Sequence, residues 1–502
     1  MQQPTTRQDQ QREQRITRLF ILAIACYFIL QIVVRLMLTD SLAMDESEQA
    51  LLYAHPALGY GTQPPLYSWI LWVLFSTLGF NIFVLALLKN AMLFGTYASL
   101  FFVARPKLGA LGAAAVSASM LMLPDIAWES QRDLTHTVLL TALCAGTLWG
   151  YFALLRRPDR LRYALFGLLI GAGMLSKYNY AIFIGGLAGT SLVLREHRVV
   201  VWNRKLLLSA AIALVCVAPH TWWLVHHVGD ASIGTLDKMR VGSHHGYVRA
   251  VLRGYGSMLG EICHFFTPLW IVYGLVAFRQ FRRASVDAGS EDARFFKVLY
   301  LFFFVLMSAI ILGGRISTIK ARWIEQLLFL LPLTLFVMVP ALRQDVVYRR
   351  ILRVAAGFGV AILLAIPLRV QIGPYFHSYT RSHFPYERLS DELAQRFPQA
   401  NTLLVGEKLA TGNLYFHRPS LPTYMLSRFL EQPLPLHGQV LFVTPSDMRA
   451  GELESLLQAY PEAKVVKQGE LRIPYKKSYQ GDAMAFDYAL LDMGSGETPR
   501  KP

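Results

Sequence analysis

The chain alternates between long apolar runs and short hydrophilic connections. Six runs are almost free of charged residues: 19–34, 134–155, 205–219, 298–313, 327–341 and 354–368. With their flanks, most of them reach the roughly 20 residues that an α-helix needs to cross a bilayer core. Backbone polar groups in hydrocarbon must be hydrogen-bonded within the segment itself, so these runs are predicted to be transmembrane helices.

Basic residues are concentrated in alternate connections. Arginine and lysine cluster around residues 12–18, 105–107, 156–162, 195–205, 279–283 and 343–353. Because cytoplasmic loops carry an excess of Lys and Arg, this alternation predicts about eleven crossings, with a cytoplasmic N-terminus and an outer C-terminus. The predicted spans are 19–38, 80–104, 108–124, 134–155, 163–177, 179–194, 205–224, 257–278, 298–314, 323–341 and 350–369.

Composition agrees with a membrane protein. Of the 502 residues, 54% are hydrophobic and 16% are charged, and the mean hydropathy is +0.36. The net charge is +16, but the basic residues follow the topology, so we predict no nucleic-acid partner. The Gln/Arg-rich residues 1–18 are predicted to be a disordered cytoplasmic arm. The four cysteines are scattered, which argues against a disulfide framework or a thiolate metal site.

The character of the chain changes after Pro374. Residues 385–396 and 450–460 are predicted helices, and 401–406, 439–444 and 463–467 are predicted strands. Alternating strands and helices indicate a small soluble α/β domain over 370–502, following a transmembrane domain over 19–369. We assign Asn413, Tyr415, His417 and Arg418 to its loops, where they either contact an acceptor or are ordinary surface residues.

The first outer loop, about residues 40–66, is acidic. Asp45, Glu46 and Glu48 follow the first span, and a short helix is predicted over 49–57. Asp45 and Glu48 have the spacing of a capping box, which is one interpretation; functional carboxylates beside the membrane surface are the other. The loop ends in Gln63-Pro64-Pro65, whose prolines favour a rigid entry into an apolar helix along the interface over 66–79, with Tyr67 at headgroup level.

Other outer connections carry candidate ligands for a substrate. Asp133 either caps the following helix or supplies a further carboxylate. Lys177, next to Tyr178, either extends its amine to the interface or binds an anion. Arg315, Lys320 and Arg322 break the basic-inside pattern, which indicates an anionic partner such as a phosphate. The His-rich loop 225–256 has poor chelate spacing, and a mobile basic lid is favoured over a metal site.

Taken in order, these motifs resemble a known family. They are the acidic residues after the first span, Pro64-Pro65-Leu66, an outer Asp133, Leu175-Ser176-Lys177-Tyr178, Pro219-His220-Thr221-Trp222 and Lys320-Ala321-Arg322-Trp323. The pattern, over residues ~18–345, resembles bacterial members of the dolichyl-phosphate-mannose protein mannosyltransferase superfamily. Their relatives include the aminoarabinose and galacturonic acid transferases of lipid A. Related sequences often have Lys or His where this chain has Gln63, which leaves the acceptor class open.

The resemblance implies a GT-C fold, an α-helical polytopic membrane domain with a periplasmic α/β domain, in the bacterial inner membrane. It also implies a polyprenyl-phosphate sugar donor and an envelope acceptor, which is lipid A, another glycan or a protein. Asp45 is the expected base, with Glu46 or Glu48 orienting it and Asp133 supporting. The donor phosphate and substrate are expected to contact Lys177, Tyr178, Arg315, Lys320, Arg322, Gln63, Glu48 and Tyr67.

A secondary transporter or lipid flippase is the alternative function. That class predicts ionisable residues near mid-membrane and two related halves. Lys89 is the clearest mid-span charge, and no half-repeat is found. A divalent cation bound by outer-loop carboxylates such as Asp45 and Asp133 is the one cofactor that these motifs suggest.

Overall fold

The computed structural model describes residues 7–61, 63–227, 246–282, 285–287, 289–431, 434–446 and 451–494. Most of the predicted lid, including His244 and His245, lies outside these residues. The chain forms two compact units. The first comprises Met1–Gln31, Ala57–Ile70 and Leu87–Ile362, and the second comprises Ile32–Pro56, Leu71–Ala86 and Leu363–Pro502.

Helices dominate the chain up to residue 376. In order, the α-helices there are α1 Arg7–Leu38, α2 Met44–Tyr53, α3 Leu66–Leu78, α4 Ile82–Ala118, α5 Ser130–Arg132, α6 His136–Arg156, α7 Arg160–Ser176, α8 Tyr180–Val193, α9 Arg195–Val201, α10 Leu206–His226, α11 Tyr247–Phe281, α12 Glu291–Gly314, α13 Ala321–Leu328, α14 Leu331–Met338 and α15 Asp345–Ile372.

Eight helical segments within the described ranges are long and apolar enough to cross a membrane. They are Arg7–Leu38, Ile82–Met122, His136–Arg156, Leu206–His226, Tyr247–Phe281, Glu291–Gly314, Ala321–Met338 and Asp345–Phe376. Two shorter apolar helices are Leu66–Leu78 and Tyr180–Val193. The polytopic helical class is therefore confirmed, whereas the total of eleven crossings stays a prediction.

Two details differ from the sequence prediction. Residues 7–18 are helical as the start of α1, because Gln, Arg and Glu are good helix formers, so the expectation of disorder there was wrong.

The predicted spans 80–104 and 108–124 form one helical run that is interrupted at Gly109, whose φ is 71°. A glycine adopts this left-handed conformation without steric cost. The Ala110 N–H after the break donates to Glu13 Oε2 at 2.7 Å.

The second unit contains the predicted α/β domain. Its helices are α16 Tyr386–Arg396, α17 Lys408–His417, α18 Leu426–Glu431 and α19 Glu452–Ala459, and its strands are β1 Thr402–Val405, β2 Thr423–Met425, β3 Gln439–Pro445, β4 Lys464–Pro474 and β5 Ala483–Asp492. The sheet has the order β2-β1-β3-β5-β4. The pairs β1–β2 and β1–β3 are parallel, and β3–β5 and β5–β4 are antiparallel.

Apolar side chains cover both faces of this sheet. Strand residues alternate between faces, so Leu403 and Leu441 pack with Leu389 of α16 and Leu414 of α17. Leu404 and Phe442 pack on the opposite face with other helices of the domain. The assignment of residues 413–417 to loops was wrong, because they belong to α17. Asn413 there is 0% exposed and is no surface residue.

Candidate active site

Three of the predicted site residues lie in the acidic loop, which we define as residues 39–48 and which belongs to the second unit. Helix α2 begins there with Ala43 as its N-cap residue. Glu46 forms one half of a capping box, since its Oε2 accepts the Ala43 N–H at 3.0 Å, whereas Ala43 has no side chain that could accept in return. The interpretation of Asp45 and Glu48 as a capping box was therefore wrong, because the side chain that caps this helix start is that of Glu46. A capping side chain three residues into the helix satisfies an otherwise free N–H.

Glu46 is also the anion of a buried ion pair. The Arg35 guanidinium donates to its Oε2 at 2.8 Å, and the Glu46 side chain is 2% exposed. The same guanidinium donates to the carbonyl oxygens of Thr39 at 2.8 Å and Ser41 at 3.0 Å. Arg35 thereby ties the end of α1 to three points of the acidic loop.

Asp45 lies between two carboxylates that are held in ion pairs. Glu48, one turn further along α2, pairs with Lys408 at 2.6 Å. Asp40, at the other end of the loop, pairs with Lys476. Asp45 itself is partly exposed to solvent. The two ion pairs restrict the chain on both sides of Asp45, whose side chain is neither fully buried nor fully exposed.

The remaining eight predicted residues belong to the first unit. Gln63 and Tyr67 flank the Pro-Pro pair that precedes α3. The Gln63 Oε1 is buried and has no hydrogen-bond partner among the described residues. Tyr67 is 1% exposed, and its ring lies 5.4 Å from that of His136. Tyr67 is therefore packed inside the first unit.

Lys177 and Tyr178 occupy the connection between α7 and α8. The Lys177 amine donates to Thr137 Oγ1 at 2.9 Å. The Tyr178 hydroxyl lies 3.2 Å from His220 Nε2, and His220 Nδ1 lies 2.9 Å from the carbonyl oxygen of Leu58. Since a carbonyl can only accept, a neutral His220 carries its proton on Nδ1 and accepts from Tyr178. Burial raises the pKa of the Tyr178 phenol, so the hydroxyl keeps its proton.

The Asn179 side chain joins the connection between α7 and α8 to α13. Its Nδ2 donates to the carbonyl oxygen of Trp323 at 3.1 Å, so the Ser-Lys-Tyr-Asn segment and the Lys-Ala-Arg-Trp segment are neighbours in the first unit. The aromatic rings of Tyr178, His220 and Trp223 form a continuous stack, with centroid distances of 6.0 and 5.8 Å. His220 of the Pro-His-Thr-Trp motif thus orients Tyr178, and Trp223, the residue after the motif, extends the stack.

The basic connection, which we define as residues 315–322, carries three exposed cations: Arg315, Lys320 and Arg322. None of them makes an ion pair within the described part of the chain. Arg315 lies 5.8 Å over the Tyr247 ring, and Lys320 lies 5.9 Å over the Trp323 ring. A serine of α11 fixes the backbone of this connection. Ser257 Oγ donates to the Ile319 carbonyl oxygen and accepts the Ile319 N–H, both at 3.0 Å. An ordered backbone therefore presents side chains that are available to an anion.

Asp133 follows the short helix α5. Its N–H donates to the carbonyl oxygen of Glu129 at 3.0 Å. The next helix, α6, begins at His136 with Thr135 as its N-cap residue. A role in supporting the base stays a prediction. Asp125, in the same loop, has a half-buried carboxyl whose pKa is raised by burial.

Sequence reasoning missed one buried carboxyl group in the first unit. Glu325 in α13 is 1% exposed, its Oε1 lies 2.9 Å from Thr141 Oγ1, and its Oε2 has no hydrogen-bond partner among the described residues. Thr141 lies one helical turn from Thr137, which binds Lys177. An acidic residue within the apolar run 323–341 was a visible signal, because such residues are costly in a membrane and mark functional regions.

Residues 62–223 match the family described as dolichyl-phosphate-mannose-protein mannosyltransferase. The chain is also 30% identical to the lipopolysaccharide core galacturonosyltransferase RgtB of Rhizobium johnstonii over 485 residues, covering 93% of this chain and 96% of that protein. The chain belongs to this family of bacterial GT-C glycosyltransferases. The lipopolysaccharide core galacturonosyltransferase RgtA of the same organism is 29% identical, again with 93% and 96% coverage.

Solved structures agree with this GT-C assignment at the level of the fold. ArnT from Cupriavidus metallidurans bound to undecaprenyl phosphate superposes with a TM-score of 0.56 at 14% identity, covering 94% of this chain and 98% of that one. The apo form of the same protein gives a TM-score of 0.54. The match to the galacturonosyltransferases therefore shows that the chain is a membrane glycosyltransferase and not a transporter, and its apolar helices make it multi-pass.

The glycosyltransferase shows no prearranged metal centre in the parts of the chain that the structure describes. No group of three or more His, Cys, Asp and Glu side chains there could hold a metal ion. Lys89, the mid-span cation, is 3% exposed and lies inside the first unit.

Proposed function

We propose that this enzyme transfers galacturonic acid from a polyprenyl phosphate to a hydroxyl group of lipopolysaccharide, in its core or lipid A part. The observation that carries the proposal is the match over nearly the whole chain to two lipopolysaccharide core galacturonosyltransferases. A lipid A galacturonosyltransferase, RgtD, is 25% identical over about half of the chain. The undecaprenyl phosphate bound to ArnT supports a lipid-phosphate donor.

The reaction is a direct displacement at the anomeric carbon. The acceptor oxygen forms a bond to that carbon, and the bond from the carbon to the phosphate oxygen breaks. The acceptor proton passes to the Asp45 carboxylate, and polyprenyl phosphate leaves as an anion. A single displacement inverts the anomeric configuration. The ion pair between Glu46 and Arg35 holds the loop that carries Asp45. The ion pair between Glu48 and Lys408 joins the same loop to α17.

The leaving phosphate is a weak base, so it needs cations more than it needs a proton donor. Arg315, Lys320 and Arg322 are exposed and make no ion pair within the described residues, which supports this role. Lys177 and Tyr178 supply an amine and a neutral hydroxyl to the donor headgroup. Gln63 completes the substrate contacts and Asp133 supports the base, whereas Tyr67, which is 1% exposed, has almost no surface to offer a substrate.

The proposed location is the outer face of the bacterial inner membrane. Basic connections alternate with acidic ones along the chain, which supports an outer position for the acidic loop and for the α/β domain over 370–502. Polyprenyl-phosphate donors and lipopolysaccharide both present their headgroups at a membrane surface. Residues 19–369 would then form the transmembrane domain of the enzyme.

Purified enzyme, given radiolabelled polyprenyl-phosphate galacturonic acid and a core lipopolysaccharide acceptor, tests the proposal. We expect labelled acceptor together with an equal amount of released polyprenyl phosphate and an inverted anomeric centre in the product. Parallel donors that carry a neutral hexose or aminoarabinose define the sugar. Absence of transfer from every lipid-phosphate donor would overturn the proposal, and transfer from a neutral-sugar donor alone would overturn the sugar assignment.

A further inference from the structure

Helix α17 of the α/β domain packs against helix α2, and both elements belong to the second unit. The two helices approach closely where Gly412 faces Ser47. A Cβ atom on Gly412 would lie 2.2 Å from the Ser47 carbonyl oxygen and 2.5 Å from its Cβ. No side chain fits in that space. The close approach therefore requires glycine at this position of α17.

Asn413 extends this contact into the acidic loop. Its Oδ1 accepts the Leu42 N–H at 2.7 Å, and its Nδ2 donates to the Leu42 carbonyl oxygen at 3.3 Å and to the Leu409 carbonyl oxygen at 2.9 Å. The side chain is 0% exposed. One amide thus satisfies both backbone groups of Leu42, as a neighbouring strand would. Buried backbone groups need such partners, so Leu42 is held three residues before Asp45.

Further bonds connect the same loop to the C-terminal segment. Thr39 Oγ1 donates to the Ser382 carbonyl oxygen, and Ser41 Oγ donates to the Phe384 carbonyl oxygen, both at 2.8 Å. The aromatic rings of Tyr53, Phe80 and Phe416 join the end of α2 to the end of α17. The acidic loop is therefore bound along its length by residues 382–416, which lie more than 300 positions later in the chain.

We propose that α17 of the α/β domain positions the catalytic base, with Gly412 and Asn413 as positioning residues for Asp45. The proposal rests on the proposed function, because it takes Asp45 to be the base. Effective general-base catalysis needs the carboxylate within hydrogen-bond reach of the acceptor hydroxyl. A displacement of about 1 Å can cost on the order of 10²-fold in rate. The soluble domain is then part of the catalytic apparatus.

The test uses full-length Asn413→Ala and Gly412→Ala, with Asn401→Ala as the matched control. Asn401 is an exposed asparagine of the same domain, whose Nδ2 donates to the His437 carbonyl oxygen at 2.7 Å. We expect kcat to fall by about 10²-fold in both α17 variants, with the KM for the donor changing little. The control keeps the wild-type kcat. A donor KM effect with normal kcat would overturn the proposal.

Hydrogen exchange gives a second measurement that does not depend on activity. We expect faster amide exchange at residues 40–48 in the α17 variants, while β1 and β3 exchange as in the wild type. Asn413→Ser, which keeps a small polar group but cannot reach Leu42, covers the case in which the alanine variant fails to fold. Wild-type kcat and wild-type exchange in Asn413→Ser would overturn the proposal.

A double variant separates this proposal from the assignment of the base. If Asn413 acts through Asp45, then Asp45→Asn combined with Asn413→Ala is no slower than Asp45→Asn alone, since residues that act as a unit are not additive. Near-normal transfer by Asp45→Asn would remove the base assignment. The exchange result would then still report whether α17 holds the acidic loop. Fully additive losses in the double variant would contradict the positioning role.

Discussion

The acidic loop and the basic connection are both charged, but they differ in whether their charged side chains form ion pairs. In the acidic loop, Glu46 pairs with Arg35 and Glu48 pairs with Lys408. In the basic connection, Arg315, Lys320 and Arg322 are exposed and have no carboxylate partner within the described part of the chain. A serine side chain of α11 fixes the backbone of the basic connection, whereas the acidic loop is held by ion pairs together with the hydrogen bonds of Asn413.

This difference separates charges that shape a loop from charges that are available to a ligand. A buried carboxylate is tolerated when a cation and hydrogen bonds offset its desolvation, as they do for Glu46. A cation that is left without a partner on an ordered backbone can instead bind an anion such as a phosphate. The comparison therefore predicts that changes in the acidic loop affect kcat and stability, and that changes in the basic connection affect donor binding.

The largest effect is expected for Asp45→Asn. An amide cannot accept the acceptor proton, so kcat should fall by about 10²- to 10⁴-fold while the KM for the donor changes little. The measurement is the initial rate of sugar transfer from labelled donor. Glu392→Gln, which removes a partly exposed carboxylate paired with Arg396, is the control and should transfer normally. A near-normal rate for Asp45→Asn would show that the base is another residue.

Removing the cation of the buried pair should mainly affect stability. Arg35→Met leaves the Glu46 carboxylate buried without its charge partner, which costs about 3–5 kcal/mol in comparable pairs. We expect a clearly lower melting temperature in detergent. The exposed pair between Arg12 and Asp345 gives a control, since Arg12→Met should change stability by no more than about 1 kcal/mol. Equal effects of the two substitutions would contradict the buried role of Arg35.

Neutralising the basic connection should weaken donor binding. In Lys320→Gln or Arg322→Gln, the KM for the donor should rise about tenfold, the equivalent of ~1.4 kcal/mol per lost interaction with the phosphate. Added salt should weaken donor binding less in these variants than in the wild type, because one attraction that salt screens is gone. Arg396→Gln, in the α/β domain, is the control. An unchanged KM in both variants would exclude these side chains as phosphate ligands.

The smallest effect is expected for Glu48→Gln. The pair with Lys408 is partly exposed, and such pairs contribute about 0–1 kcal/mol. We expect a change in kcat of less than about fivefold and little change in melting temperature. Lys408→Gln is the matched variant and should have the same small effect. If Glu48→Gln alone lost most of its activity, the carboxylate would contact substrate directly, as the family resemblance implies.

Much of the α/β domain could be predicted from local patterns. Residues 402–405 and 439–445 form strands because they are short runs of β-branched and apolar residues, and 386–396 has a strong helical period. Helix α17 was missed because Gly412 and Asn413 have low helix propensity. Its helical conformation is stabilised by contacts with Ser47 and Leu42, far away in sequence, which no local pattern shows.

The sequence predicted which residues belong to the candidate site better than it predicted the contacts that those residues make. The exposed cations of the basic connection could be recognised because they contradict the topology rule. The role of Glu46 could not, because its N-cap partner Ala43 has no capping side chain and the helix start was expected at residue 49. The orientation of Tyr178 by His220 also depends on residues that are 42 positions apart.

The break at Gly109 has a consequence for anyone who shortens or tags the amino terminus. The helical segment after the break begins at Ala110, whose N–H donates to Glu13 Oε2. A residue of the polar arm therefore supplies a hydrogen-bond acceptor to a helix that lies 97 positions later in the chain. A fusion placed ahead of Arg7 should leave this bond intact. A deletion that extends through Glu13 would leave the Ala110 amide without its acceptor, at the break inside the helical run Ile82–Ala118.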